Sequence, residues 1–185
     1  HFLWLSAPNV FSGKVRIDDA RVLAHPDQSD AYLKRIQPGM ILAQLGMGLG
    51  LVEDCIRLID GTARTHQHIN RFEGDQADDL RQVLAAARSE TWRLAGIADT
   101  LPEGAAQAEL LTDILRLRLA GGELSLRAAQ AAMLHQGARG YLRNATAQRR
   151  LREAYFVAIV TPSLKHLRRQ LSLQEERSNA PAATA

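Results

Sequence analysis

Few side chains in this 185-residue sequence have the type and spacing needed for chemistry, and most of them exclude more than they allow. His66 and His68 flank Gln67, and positions two apart on a helix face different ways, so the pair cannot close on one metal ion. No second cluster of His, Cys or acidic residues completes a ligand set, and no metal site is expected. Cys55 is the one cysteine, which excludes an internal disulfide or a thiolate cluster and agrees with a cytoplasmic setting. His135 and His166 stand alone near helix ends, where a carbonyl or the helix dipole accounts for them. No Ser/His/Asp set or Gly-Ser-Gly turn is present to make a nucleophile. The stretch that asks most is REAYFVAIVTPS, Arg152 to Ser163: a charged start, an apolar run, then a stop at Thr161-Pro162-Ser163. Read locally, Thr161 caps a helix, Pro162 is its first residue, and Leu164 and Leu167 open the next stripe.

Charge is distributed unevenly under a formal net +3. Between Ser125 and Gln170 the bases are Arg127, Arg139, Arg143, Arg149, Arg150, Arg152, Lys165, Arg168 and Arg169, against the single acid Glu153. Such an asymmetry suits a polyanion, either nucleic acid or a phosphate-bearing cofactor, and also suits solvated helix faces. Aromatic residues are sparse there and no recognition-helix motif appears, so nucleic acid is the less expected partner.

The elements that must position these residues are mostly helical. HFLWLSAPNVFSGKVRIDDARVLAHPDQ is the strand-like part, and the alternation in KVRIDDARV after Ser12-Gly13 suggests a hairpin or sheet edge. The spacing then predicts a helix from Ser29 or Asp30 to Ile59, kinked at Pro38, with Leu33, Ile36, Met40, Leu49, Val52, Ile56 and Ile59 buried. LGMGLG, Leu45–Gly50, lacks the G-x-G-x-x-G pattern and a leading strand; Gly46 and Gly50 share a helical face and would let another helix approach. A second helix is expected over Asp75–Ala98, with Leu80, Val83, Leu84, Ala87, Thr91 and Leu94 repeating. A third starts at Pro102-Glu103, with Arg116 and Arg118 turned to solvent, weakens at Gly121-Gly122 and breaks at Gly137. Thr146 caps a fourth through Val160, and a last one carries Leu164, Leu167 and Leu171. The fold class is therefore mainly α, an antiparallel four-helix-type bundle over 28–174 preceded by a short strand pair within 1–27. Residues 175–185 read as a disordered tail. No run reaches the ~18–20 uninterrupted apolar residues of a membrane span, and no membrane partner is expected. The apolar start lacks a basic lead and a small-residue cleavage site, so it is not a signal peptide. The chain opens without Met in strand-like sequence and is expected to be the C-terminal portion of something longer.

The order of these segments resembles the C-terminal portion of the acyl-CoA dehydrogenase family, over roughly Val15 to Arg169. Val15-Arg16-Ile17-Asp18-Asp19-Ala20-Arg21-Val22 is similar to the V-x-F-D-D-V-x-V-P strand that closes the family's middle β-domain. Gly137-Ala138-Arg139-Gly140-Tyr141 resembles its G-G-x-G-Y loop, and Arg149-Arg150-Leu151-Arg152-Glu153 its R-x-x-R-D. The resemblance implies a helical bundle packed on a β-domain, an oligomer (dimer or tetramer), FAD, and an acyl-CoA-type small molecule. It implies that Gly137, Ala138, Arg139 and Gly140 pass near the FAD diphosphate, commonly that of a neighbouring subunit, with Arg139 and Arg143 adding charge. Read without the resemblance, Gly137 is a helix C-cap and Gly140 a turn.

The departures from the family pattern are as specific. Many members end the segment after R-D in Glu-Gly-Thr, where the Glu takes the substrate α-proton; those positions fall here on Thr161, Pro162 and Ser163. A Thr hydroxyl has no useful basicity near neutral pH. Other members place the Glu on the first bundle helix before an Arg, and the comparable pair here is Lys34-Arg35. The family's Arg-x-x-Phe-Gly keeps Phe72 in NRFEG but has Ile69 in the Arg position, which leaves Arg71 to substitute for that FAD contact. Ser163 is expected to keep a flavin contact, and the catalytic base is unknown. The implied function is an FAD-dependent oxidoreductase on an acyl-CoA or similar substrate. The alternatives are a flavin monooxygenase of the same fold, which needs no such base, and a non-catalytic subunit completing a partner's FAD site.

Overall fold

The computed structural model describes residues 19–100 and 105–179. Five helices make up most of them: α1 Ser29–Asn70, α2 Ala77–Thr100, α3 Ala105–Gln136, α4 Thr146–Ile159 and α5 Leu164–Asn179. Short 3-10 turns occur at Asp19–Arg21 and Gly137–Tyr141. The expected strand pair lies largely in residues 1–18, outside the described residues. Its described end, Asp19–Arg21, is a 3-10 turn closed by Val22 N–H onto Asp19 O at 3.0 Å, and no strand occurs among the described residues. The expected helix start at Pro102-Glu103 also lies outside them. α5 continues to Asn179, past the point where the sequence turns polar.

α1 is longer than its apolar period suggests, because polar side chains carry its buried face onward. Thr62 Oγ donates to Ile59 O at 2.7 Å, and Asn70 Nδ2 donates to Thr62 Oγ at 3.1 Å and to His135 O at 3.0 Å. The helix runs unbroken through Pro38, whose missing N–H leaves the Lys34 carbonyl without its helical donor. Buried positions along it include Ile41, Leu42, Leu45, Leu49 and Val52, whereas Leu33 and Met40, expected inside, are exposed. Val83 of α2 is likewise exposed. α4 begins at Thr146 with Ala145 as its flanking residue and no side-chain cap, so Thr146 is inside the helix rather than capping it.

Contacts between named residues set the helix directions. Gly48 meets Ser125, and Asn70 meets His135, so α1 and α3 run parallel. Arg88 pairs with Glu53 and Arg81 with Asp60, so α2 runs back along α1. α4 descends between α1 and α3, with Arg150 bonded to Asp54 at 2.6 Å and Val157 beside Gly48. α5 continues down α3, Leu164 lying on Gly122 and Gln174 bonding Thr112 at 3.3 Å. The fourth helix of the bundle is thus broken into α4 and α5 at residues 160–163.

Close approach has a specific cause in α3. A Cβ on Gly121 would lie 2.3 Å from Leu45 Cδ1, and one on Gly122 would lie 2.6 Å from Leu164 Cδ2. The adjacent glycines therefore admit one leucine from each neighbouring helix, and α3 passes through them without a break. The expected close approach over Gly46 and Gly50 is not made by any other described residue: beyond the helix's own backbone, none has an atom within 4 Å of a Cβ at either. Gly48 is the packed glycine instead, its Cβ position 2.7 Å from Ser125 Oγ. α1 is the one helix among the described residues long and apolar enough to span a membrane, yet its apolar face is the bundle's core.

Filling Gly121 with Val should cost about 1–3 kcal/mol in urea unfolding, the usual range for overpacking. Gly50→Ala should stabilise by up to ~1 kcal/mol, because it adds helix propensity into open space. Cys55 is fully buried, and burial with Asp54 nearby pushes its thiol pKa up from 9.0 to about 12. The unfolded thiol therefore loses its proton first, so this contribution to stability is whole below pH 9.0 and declines as pH rises toward about 12. Chemical unfolding between those limits should show an alkaline loss that Cys55→Ala reduces, and the native thiol should resist alkylation at neutral pH.

Candidate functional site

The break at residues 160–163 is built around a buried cation. Arg118, expected on the solvent face of α3, is 1% exposed. Its Nη2 donates to Val157 O at 2.8 Å. That carbonyl belongs to the last turn of α4, where helical donors run out, so the guanidinium caps the helix from the side. Nε and Nη1 have no partner among the described residues, and burial lowers the guanidinium pKa from its ordinary value. Beyond Val157 the Val160 N–H closes on Phe156 O at 2.9 Å, and the Thr161–Pro162 peptide is cis. Leu167 N–H returns to Ser163 O at 2.9 Å, which makes Ser163, rather than Thr161, the residue flanking α5.

From the other side α1 holds the same segment, with Gln44 Nε2 donating to Thr161 O at 3.0 Å. Between them opens a cleft of about 560 Å³. Its walls are Leu33, Met40, Ile41, Leu115 and Pro162, and its polar groups are Asp30, Lys34, Gln37, Gln44, Thr161 and Gln170. This explains the exposed Leu33 and Met40: they face the cleft and not the core. The two positions singled out by the departures from the family pattern, Thr161 and Lys34, are far apart in sequence yet line this one cleft. Asp30, one helical turn before Lys34, is the carboxylate among its lining residues. Sequence reasoning passed over it because it reads as an ordinary acid in a first helical turn.

The other expected site residues divide between two places. Ser163 is buried beside the break, its Oγ 3.0 Å from His166 Nδ1. Arg71 and Gly137–Gly140 lie at the other end of the bundle, where α1 and α3 both finish. Gln44 and Asn70 are 26 residues apart on α1, about 39 Å at ~1.5 Å per residue, so one chain brings them to two sites and not one. At the far end Gly137 has φ +59°, and the chain then turns through a 3-10 helix. The amides of such a turn bond three residues back, as Leu142 N–H does to Arg139 O at 3.3 Å. Arg139 and Arg143 are exposed without a carboxylate partner among the described residues, and Arg71 stacks on exposed Phe72 at 4.7 Å. Exposed Tyr141 adds a second ring, while Gly140 is buried against Gln136 and Met133. Beneath, His135 Nε2 lies 2.8 Å from Asp75 O, and Arg127 grips the Asp75 carboxylate at 2.5 Å.

Much of the basic half is used internally. Arg150 joins Asp54 to Glu153, Arg168 pairs with Glu123 and Arg127 with Asp75. Glu153 of the RRLRE motif is thus part of a clamp between α4 and α1. His66 Nδ1 faces Thr65 Oγ at 2.6 Å, and among the described residues no three His, Cys, Asp or Glu side chains gather.

No family model and no curated protein matches the chain. Among solved structures 12 chains match. One, a glutaryl-coenzyme A dehydrogenase in complex with glutaryl-CoA, aligns with TM-score 0.59 and 19% identity. The described chain has the helical-bundle fold of an acyl-CoA dehydrogenase. The match covers 90% of this chain and 42% of that one, so the chain spans less than half the length of the protein it resembles.

Arg118→Met should leave the helical content unchanged and shift the melting temperature little, since removing a poorly partnered buried cation offsets the loss of the donor to Val157 O. It should also free the α4 terminus, so amide exchange at residues 160–164 should quicken about tenfold or more, the worth of one charge-assisted hydrogen bond.

Proposed function

We propose that the chain is the C-terminal bundle of an FAD-dependent oxidoreductase of the acyl-CoA dehydrogenase type, acting on an acyl-CoA or similar thioester. The observation that carries this reading is the convergence of Thr161 and Lys34 on one cleft, within a fold matched over 90% of the chain. Bound flavin would supply the hydride acceptor. The far-end residues fit such a group: unpaired Arg139 and Arg143 suit a diphosphate, and Phe72 and Tyr141 offer faces for a planar ring. Because they lie about 39 Å from the cleft on α1, they would serve the flavin of a neighbouring subunit in a homo- or hetero-oligomer.

In the cleft the apolar walls take the acyl chain and exclude water, and Lys34 holds an anionic portion of the ligand at the rim. Asp30 takes the α-proton, the role the family gives to a Glu. Arg118 and Gln44 hold the 160–163 segment against which the acyl group lies. The cytoplasmic setting suggested by the lone cysteine fits this role. A second reading, a flavin monooxygenase of the same fold, is favoured by the absence of a carboxylate at both family positions.

Full-length protein is expected to carry a flavin absorbance band, and colourless protein unable to take up FAD overturns the reading. Anaerobic acyl-CoA should bleach that band, and Asp30→Asn should slow the bleaching by roughly 10²–10⁴-fold at unchanged flavin content. Flavin that acyl-CoA does not bleach would instead favour the monooxygenase.

A further inference from the structure

The cleft carries more hydrogen-bonding capacity than a plain alkyl chain can use. Asp30, Lys34, Gln37, Ile41 and Gln44 follow one another at spacings of four and three, so they form one stripe along α1, and all of them line the cleft. Asp30 and Gln44 are 14 residues apart, about 21 Å at ~1.5 Å per residue. Spread over that length, the cleft volume of about 560 Å³ leaves a passage about 5 Å across, the width of one extended chain.

The middle and inner end of this passage are polar without being charged. Gln37 of α1 and Gln170 of α5 are half-buried, and neither side chain bonds to a described residue. At the inner end the Gln44 amide is oriented by its donation to Thr161 O, so its oxygen is the free group. That Oε1 is buried and has no partner among the described residues. An acceptor closed off from water gains a donor only from a group that enters beside it, and leaving it unpaired costs free energy.

We infer that the acyl group this cleft takes is a long chain hydroxylated on its distal half, with Gln37 and Gln170 meeting one hydroxyl and Gln44 another. A hydroxyl both donates and accepts, as an amide does, so it satisfies either end of each glutamine. A neutral group is called for because the cleft's ionisable side chains, Asp30 and Lys34, sit together at the N-terminal end of α1. From α3 only Leu115 lines the cleft, so Arg118 presents no charge there. The inference rests on the acyl-thioester reading above. With the α-carbon at Asp30, an extended chain at about 1.2 Å per bond reaches the level of Gln37 after about nine bonds and that of Gln44 after about seventeen.

The test is isothermal titration of full-length protein with 10,16-dihydroxyhexadecanoyl-CoA and with hexadecanoyl-CoA. The dihydroxy ester should bind at least about tenfold more tightly, because the plain chain leaves buried polar groups unpaired. Gln37→Leu and Gln170→Leu forfeit no bond to a described residue, and each should cut that preference at least about threefold. Equal binding of the two esters, or tighter binding of the plain one, overturns the inference and leaves the acyl-CoA reading standing. A preference that neither folded variant reduces overturns it as well. Binding of neither ester overturns the acyl-CoA reading, and the inference with it.

Discussion

The hydrogen bond from Arg118 to Val157 O is the constraint on which the cleft-bearing half of this bundle depends. A helix that ends inside a protein leaves carbonyls facing apolar surroundings, and each needs a donor. α4 ends in that way, and the donor comes from the middle of α3. The arrangement is energetically uneven, because two guanidinium nitrogens have no partner among the described residues. Its return is geometric. With α4 stopped at a fixed level, the chain steps sideways, Thr161 O meets Gln44, and the space between α1, α3 and α5 stays open instead of being closed by a continuous fourth helix.

The glycines next to Arg118 solve the volume problem that the cation creates. Nη1 lies 3.0 Å from where a Gly122 Cβ would be, and the same residue receives Leu164, the first residue of α5. Gly121 receives Leu45 on the opposite side. These residues sit between two sections of core, one around Val52, Leu80 and Ala128 and the other around Ile114, Leu164 and Leu167. Each glycine costs an α-helix about 1 kcal/mol relative to alanine. Here that cost is offset by leucine packing from two helices, so α3 is weaker in propensity at its centre and better packed there.

Much of the helical framework was legible in sequence, because Leu80, Leu84 and Leu94, or Ile114 and Leu115, repeat at the spacing of a face that is in fact buried. Where the reading failed, a residue's type argued against its surroundings. Arg118 reads as solvent-facing by charge, and only the carbonyl it caps makes burial tolerable. Leu33 and Met40 repeat like core residues, but the wall they join is that of a cleft, which periodicity cannot distinguish from a core. Thr62 and Asn70 interrupt the apolar stripe of α1 while extending its buried face, so the helix looked shorter than it is. Of three glycines spaced two apart, the packed one is Gly48, and its partner Ser125 is far away in sequence. The cleft itself was half legible: the resemblance picked out Thr161 and Lys34, and tertiary packing alone united them and added Asp30.

The step between α4 and α5 is tied to the rest of the bundle at few main-chain points, chiefly Val157 O and Thr161 O, both held by side chains from other helices. A carbonyl is common to every residue type, so these anchors do not read which side chains the step carries. The segment thus resembles an interchangeable cartridge in a fixed housing. Side chains at the cleft mouth can therefore be exchanged without loss of either anchoring hydrogen bond.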